Sequence, residues 1–225
     1  MPKSIKSISK KYTYNTNYNL DARRFESIIE VLENSRDHLN KPQVAHICLQ
    51  VDSAYFDKSS INKSLIKSLT RKHDTGFGYY ISLEKSSYSG FHVHIMLTFS
   101  TGTKYAFTIL DEAVKALYKL EGVNTAIALP RKTDRSVSID TVDYYNVFKR
   151  IKSTNNYFHI LSDSSDFNDA IYRYSYLSKD ETKDSEELKG IRLTQSKIPK
   201  ADKTKQGQNK RVIKKKDNNK SQPIA

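Results

Sequence analysis

The run FHVHIMLTF, residues 91–99, alternates almost without a break: Phe91, Val93, Ile95, Leu97 and Phe99 are all apolar. A strand turns successive side chains to opposite faces, so these five make one wholly apolar face. A chain with such a strand must build a sheet and cover that side of it. His92 and His94 then share the other face. Upstream, FGYYISLE (77–84) repeats the pattern, with Phe77, Tyr79, Ile81 and Leu83 on one face and Gly78, Tyr80, Ser82 and Glu84 on the other. A turn containing serine and glycine joins the two runs, as in a hairpin. Matching the apolar faces brings Glu84 out on the histidine face, near His92. Two imidazoles and one carboxylate are thus expected to converge on the exposed side of a sheet. They leave open positions for water or substrate, as a catalytic divalent metal requires. The same His-x-His pattern also fits two surface histidines. His46 has a neighbouring-strand position from which it can approach this group, whereas His38, His73 and His159 are expected at the surface or in packing.

Around this hairpin, helical and strand patterns alternate. LDARRFESIIEVLENSRDHLN repeats Phe25, Ile28, Ile29 and Leu32 at helical spacing. PQVAHICLQVD predicts a strand with Ala45, Ile47, Leu49 and Val51 on one face, and SSINKSLIKSLTRK a helix burying Ile61, Leu65, Ile66 and Leu69. FTILDEAVKALYKLEG predicts a helix ended by Gly122. NTAIAL and NYFHIL predict strands, and SDFNDAIYRYSYLSK opens a helix capped near Asp163 or Ser165. The expected fold is α+β: a central, mostly antiparallel sheet with flanking helices. There is no repeat and no Gly-rich phosphate loop, which argues against an ATP-driven motor.

Residues 1–19 are polar with scattered tyrosines and are expected to form an arm. Residues 20–197 carry the folded domain. Residues 198–225 are Lys, Asn and Gln with little apolar matter, so a disordered basic tail is expected. Ten Lys or Arg against two Asp from Lys197 to the end put +8 of the formal +13 charge in this last stretch, counted from Lys197. With a pI near 9.5, the expected partner is a polyanion: nucleic acid first, an anionic membrane surface second. No apolar run reaches the roughly 18 residues of a membrane span. The first 19 residues hold no secretory signal, and the one cysteine, Cys48, allows no internal disulfide or multi-cysteine zinc site. The expected location is the cytoplasm. Deleting 198–225 should flatten the salt dependence of single-strand binding, by about 0.7 in log–log slope for each phosphate no longer neutralised. An unchanged slope in a titration of affinity against salt would show that the tail does not touch DNA.

The second constellation is DAIYRYSYLSKDETK, 169–183. At helical spacing Phe167, Ala170, Ile171, Tyr174 and Leu177 form a core stripe. Tyr172, Tyr176, Lys179 and Lys183 form a second stripe at i, i+4, i+7 and i+11. Those tyrosines can simply extend over the sheet while the lysines meet solvent. Beside a metal site, a tyrosine three residues before a lysine also suits attack on a phosphodiester. A phenol, with a pKa near 10, needs such help to act as a nucleophile.

These motifs resemble the HUH endonucleases. His92-Val93-His94 matches their His-hydrophobic-His motif, Tyr176-Leu177-Ser178-Lys179 their Tyr-x-x-Lys motif, and Glu84 the spacing of an acidic third ligand. LEKSSYSGFHVHIML and YRYSYLSKDETK look more closely like segments of the filamentous-phage (inovirus) type replication initiation proteins. The resemblance implies a ferredoxin-like domain that nicks single-stranded DNA at a phage, prophage or plasmid origin to start rolling-circle replication. It implies Mg²⁺ or Mn²⁺ held by Glu84, His92 and His94. Tyr176 would attack and stay joined to the 5′ phosphate, with Lys179 assisting, and the freed 3′-OH would be extended by a host polymerase. These residues are not expected to include the helicase domain of some larger relatives, so a host helicase is expected. Tyr172, one turn before Tyr176, is either a second nucleophile or a packing residue. Lys183, Lys214, Lys215 and Lys216 are expected to contact nucleic acid. The competing readings are a single-tyrosine HUH transposase and a non-catalytic nucleic-acid-binding protein of the same fold.

Overall fold

The computed structural model describes residues 11–53, 56–71, 74–86, 90–102, 104–131, 157–179 and 194–195. His73, Lys183, Lys214, Lys215, Lys216 and the expected tail lie outside the described residues. In chain order the elements are α1 (Ala22–His38), β1 (Pro42–Val51), α2 (Lys58–Leu65) continued by a π-helical turn (Ile66–Arg71), β2 (Phe77–Ser86) and β3 (Gly90–Ser100). Then come α3 (Ala106–Tyr118), β4 (Val123–Leu129), β5 (His159–Ile160), α4 (Ser164–Ser175), a 3₁₀ turn (Tyr176–Ser178) and β6 (Thr194–Gln195).

The sheet runs β4-β1-β3-β2-β6, with the short β5 also on β1, and every pairing is antiparallel. From β1 to β4 the chain follows two interleaved β-α-β units in the order 4-1-3-2, the ferredoxin-like arrangement. The hairpin register pairs Ile81 with Ile95, Leu83 with Val93 and Glu84 with His92. The apolar face meets α2 and α3 and forms one core, with Ile47, Leu49, Ile81, Ile95 and Leu97 fully buried against Ile61, Leu65, Ile109 and Leu117. Gly122, at φ +73, turns the chain from α3 back into β4, and its carbonyl accepts the Asp52 N–H.

The opposite face departs from expectation, because it is covered. At one end it presents Val44, Tyr80 and Met96, all apolar, and the stripes of α1 and α4 bury themselves on that patch. Asp21 starts α1 by accepting the N–H groups of Arg23 and Arg24, and Asp163 starts α4 by accepting that of Asp166. Residues 12–18 extend the same core: Tyr12, Tyr14 and Tyr18 pack against it, and Tyr14 meets the Phe25 ring edge-on. The polar end of the face, with Glu84, His92 and His94, lies beside this second core.

Asp166 ties α4 to Arg131 after β4 and to Ile160 of β5. Its carboxylate accepts from Arg131 and from the Ile160 N–H. Burial opposes its charge, but these donors outweigh burial and lower its pKa below the ordinary value. Asp166→Asn is therefore expected to cost about 1–2 kcal/mol, most of it from charge-assisted bonds at a half-screened position. Because the folded pKa is depressed, this contribution is present above the unfolded carboxyl value near pH 4. It is lost as pH falls through the lower folded value. Urea melts of both proteins at pH 7 and pH 3 check the sign: the gap between them should shrink at pH 3.

Candidate active site

Strand alternation sorts this face into rows. Tyr80, Met96 and His46 make one row; Ser82, His94 and Cys48 the next; Glu84, His92 and Gln50 the last. The polar groups therefore sit two rows deep at one end of β1, β2 and β3. His94 Nε2 lies 3.6 Å from Glu84 Oε2. The His92 and His94 rings lie nearly parallel, with centroids 6.3 Å apart. Glu84 is 5% exposed and His92 9%, so the group is sheltered rather than laid open on the sheet. The flanking Tyr80–Met96 patch explains this, since it draws α1 and α4 over the face.

The tyrosine block arrives from the other side, by a turn that departs from the helical stripe. The α-helix stops at Ser175 because two serines take its last carbonyls. Ser175 Oγ donates to the Tyr172 carbonyl at 2.7 Å and Ser178 Oγ to the Ser175 carbonyl at 2.6 Å. The next three residues tighten into a 3₁₀ turn, in which side chains at i and i+3 eclipse. Lys179 is thereby set directly over Tyr176. Its ammonium donates to the Tyr176 hydroxyl and lies 3.8 Å from the ring centroid. Lys179 also reaches Glu84 Oε2 at 3.1 Å, and the Tyr176 hydroxyl points to the same oxygen at 3.4 Å. The Tyr176 ring meets His94 edge-on at 6.1 Å.

Tyr176, Lys179, Glu84 and His94 thus form one contact group, with His92 beside it. Burial, and after it the Glu84 charge, push the Tyr176 hydroxyl above its ordinary pKa, so the phenol holds its proton here. Tyr172 is set apart from this group, 44% exposed on α4. Tyr174 is buried with the second core and meets the His46 ring edge-on.

Two contributors, the N-terminal segment and Arg173, fall outside the periodic stripes, and a third, Cys48, shares the histidine face by strand alternation. The N-terminal segment walls the site: Leu20 bridges to Lys179, the Asp21 N–H donates to the Ser178 carbonyl at 2.9 Å, and the Tyr18 ring meets Tyr176 at 5.3 Å. Cys48, in the His94 row, is buried and its thiol is pushed up to about 12, by burial first and Glu84 second. Arg173 lies behind the histidines, beside His46. His46, on the neighbouring strand, does reach the group: its Nε2 is 3.1 Å from His94 Nδ1. His38 is exposed and His159 buried.

Among the described residues no three His, Cys, Asp or Glu side chains stand together as a metal cluster. The Lys179 ammonium already pairs with Glu84 Oε2. The donor types nevertheless fit a hard or borderline divalent ion: Glu84 pairs with His92 across the strands, its Oε2 lies 3.6 Å from His94 Nε2, and its Oε1 is buried with no hydrogen-bond partner among the described residues. An unpaired buried carboxylate oxygen is costly unless something binds it. Compared with protein-family models, curated proteins and solved structures, the chain gives no match. Among the described residues no helix is long and apolar enough to cross a membrane.

Proposed function

We propose that the chain is a metal-dependent endonuclease and strand transferase of single-stranded DNA that works through a phosphotyrosine, of the kind that starts rolling-circle replication. One observation carries the reading. Glu84 and Tyr176, 92 residues apart in sequence, meet through a phenol and an ammonium on the strand face that bears His92 and His94.

The chemistry follows from those atoms. The Tyr176 oxygen attacks phosphorus; a bond to the phenol forms as the bond from phosphorus to the 3′ oxygen breaks. The phenol's proton ends on the departing oxygen, so one end leaves as a 3′-OH and the other stays on Tyr176 as a 5′ phosphate. The bond energy is kept, and reverse attack rejoins the strand. Lys179, whose ammonium donates to the Tyr176 hydroxyl, stabilises the developing phenolate. Held by Glu84, His92 and His94, Mg²⁺ or Mn²⁺ would offset the Glu84 charge and polarise the scissile phosphate. The net charge of +13 suits a single strand held by its phosphates. Origin DNA, a host helicase and a host polymerase are the partners this reading requires.

Incubation with single-stranded oligonucleotides and Mn²⁺, followed by a denaturing gel, tests it. A slow band that vanishes with EDTA supports the nuclease. A shift on native gels alone, with no adduct under any metal, would sink it and leave a binding protein. Lys179→Met, which keeps the length of the stem, should slow adduct formation on the order of 10²-fold, the loss of one donor at a developing charge. A rate within twofold of wild type would remove Lys179 from the mechanism.

A further inference from the structure

Behind the proposed metal site runs a line of contacts that begins at Arg173. Arg173 Nη2 lies 3.5 Å from His46 Nδ1, His46 Nε2 lies 3.1 Å from His94 Nδ1, and His94 Nε2 lies 3.6 Å from Glu84 Oε2. A guanidinium has donors only. His46 Nδ1 therefore accepts, and the ring of His46, which is 6% exposed, carries its proton on Nε2. That proton is donated to His94 Nδ1. With Nδ1 accepting, the proton of a neutral His94 sits on Nε2 and faces Glu84. Every donor in the line points the same way, and it ends on the carboxylate.

A histidine that ligates a cation through Nε2 needs the opposite arrangement: Nδ1 carries the proton and donates it to a neighbouring acceptor. Here the neighbour is His46 Nε2. If it accepts, the His46 proton moves to Nδ1 and meets the Arg173 guanidinium, donor against donor. We infer that His46 is a positioning residue for His94, and that Arg173 holds the pair in the direction that withholds His94 Nε2 from a cation. This deepens the proposed function and rests on it. Arg173 has a separate anchor, since its Nη1 donates to the Arg131 carbonyl, so it can leave His46 without losing its place.

Two measurements test the inference. In metal-free wild-type protein, long-range ¹⁵N–¹H correlation spectra of the imidazoles should show the proton on Nε2 of both His46 and His94. A proton on Nδ1 of His94 would overturn it. In calorimetric titration with Mn²⁺, His46→Leu should lower affinity about 10–100-fold, as loss of an outer partner does. His46→Gln, whose amide oxygen can replace the acceptor, should stay within about threefold of wild type and shows that the position tolerates change. Arg173→Met should bind Mn²⁺ about fivefold more tightly, the worth of one opposed hydrogen bond. Unchanged affinity in His46→Leu or in Arg173→Met overturns the inference while leaving the nuclease reading in place. Wild-type protein that binds no Mn²⁺ and forms no adduct overturns both.

Discussion

Tyr176→Phe protein is expected to form no covalent adduct with single-stranded DNA, a loss on the order of 10⁶-fold if it behaves as other enzymes stripped of their nucleophile. The substitution is clean because the ring has its own contacts. It meets Tyr18 and His94 edge-on and lies under the Lys179 ammonium, and phenylalanine keeps all three. Only the oxygen shared by Lys179 and Glu84 is removed. Folding, followed by thermal melting, should therefore change by no more than a few degrees. Tyr172→Phe should reduce the adduct at most in part, since Tyr172 lies one helical turn away, 44% exposed, and no described contact joins it to Glu84. Tyr174 is enclosed between His46 and the second core. Mass spectrometry of a trypsin-digested adduct distinguishes the three tyrosines. A nucleotide mass on Tyr172 would move the nucleophile by one turn and sink this assignment.

The hairpin is legible in the sequence because period two leaves no freedom. Once Ile81 and Leu83 are put on the face of Ile95 and Val93, Glu84 has to emerge beside His92. The same rule holds a signal for His46, which alternates with Ile47 and Leu49 and so has to share the histidine face. The cover over that face is not legible from the strands. Tyr80 and Met96 look like isolated exceptions to a polar face until β3 sets them side by side, next to Val44 from another strand. Only then do α1 and α4 have a patch to bury their stripes on.

The turn at Tyr176 reads as continuous helix in the sequence because spacings of three and four look alike in helical and 3₁₀ geometry. The deciding atoms are the hydroxyls of Ser175 and Ser178, whose choice between solvent and backbone depends on packing. Tyr12, Tyr14 and Tyr18 share a period of two, but the polar residues around them hide it, so their packing shows only once α1 and α4 are in place. Arg173 falls between the two stripes of α4 and acquires meaning only from His46, which comes from β1.

Glu84→Gln separates the two things Glu84 can do, because they predict opposite signs. As the holder of a divalent cation, Glu84 is indispensable, and cleavage should fall on the order of 10³-fold or more. As a charge beside Tyr176, it is a brake: it is one of the causes that raise the phenol's pKa, so removing it alone would speed attack. The proposal requires the loss. Single-strand affinity should stay within about twofold, since binding draws on many phosphate contacts rather than on this enclosed group. His92→Ala and His94→Ala should lose cleavage in the same way, which a purely electrostatic brake would not explain. The stability cost of Glu84→Gln has its own source. The Lys179 side chain is 7% exposed and would lose its carboxylate, though the amide oxygen still accepts. A cost of about 1–3 kcal/mol follows, below that of a bare buried charge. Denaturant melts at 25 °C give that figure, and single-turnover cleavage with Mn²⁺ gives the sign. A Glu84→Gln protein that is folded and cuts faster than wild type would leave Lys179 and Tyr176 as the chemistry and remove the metal from it.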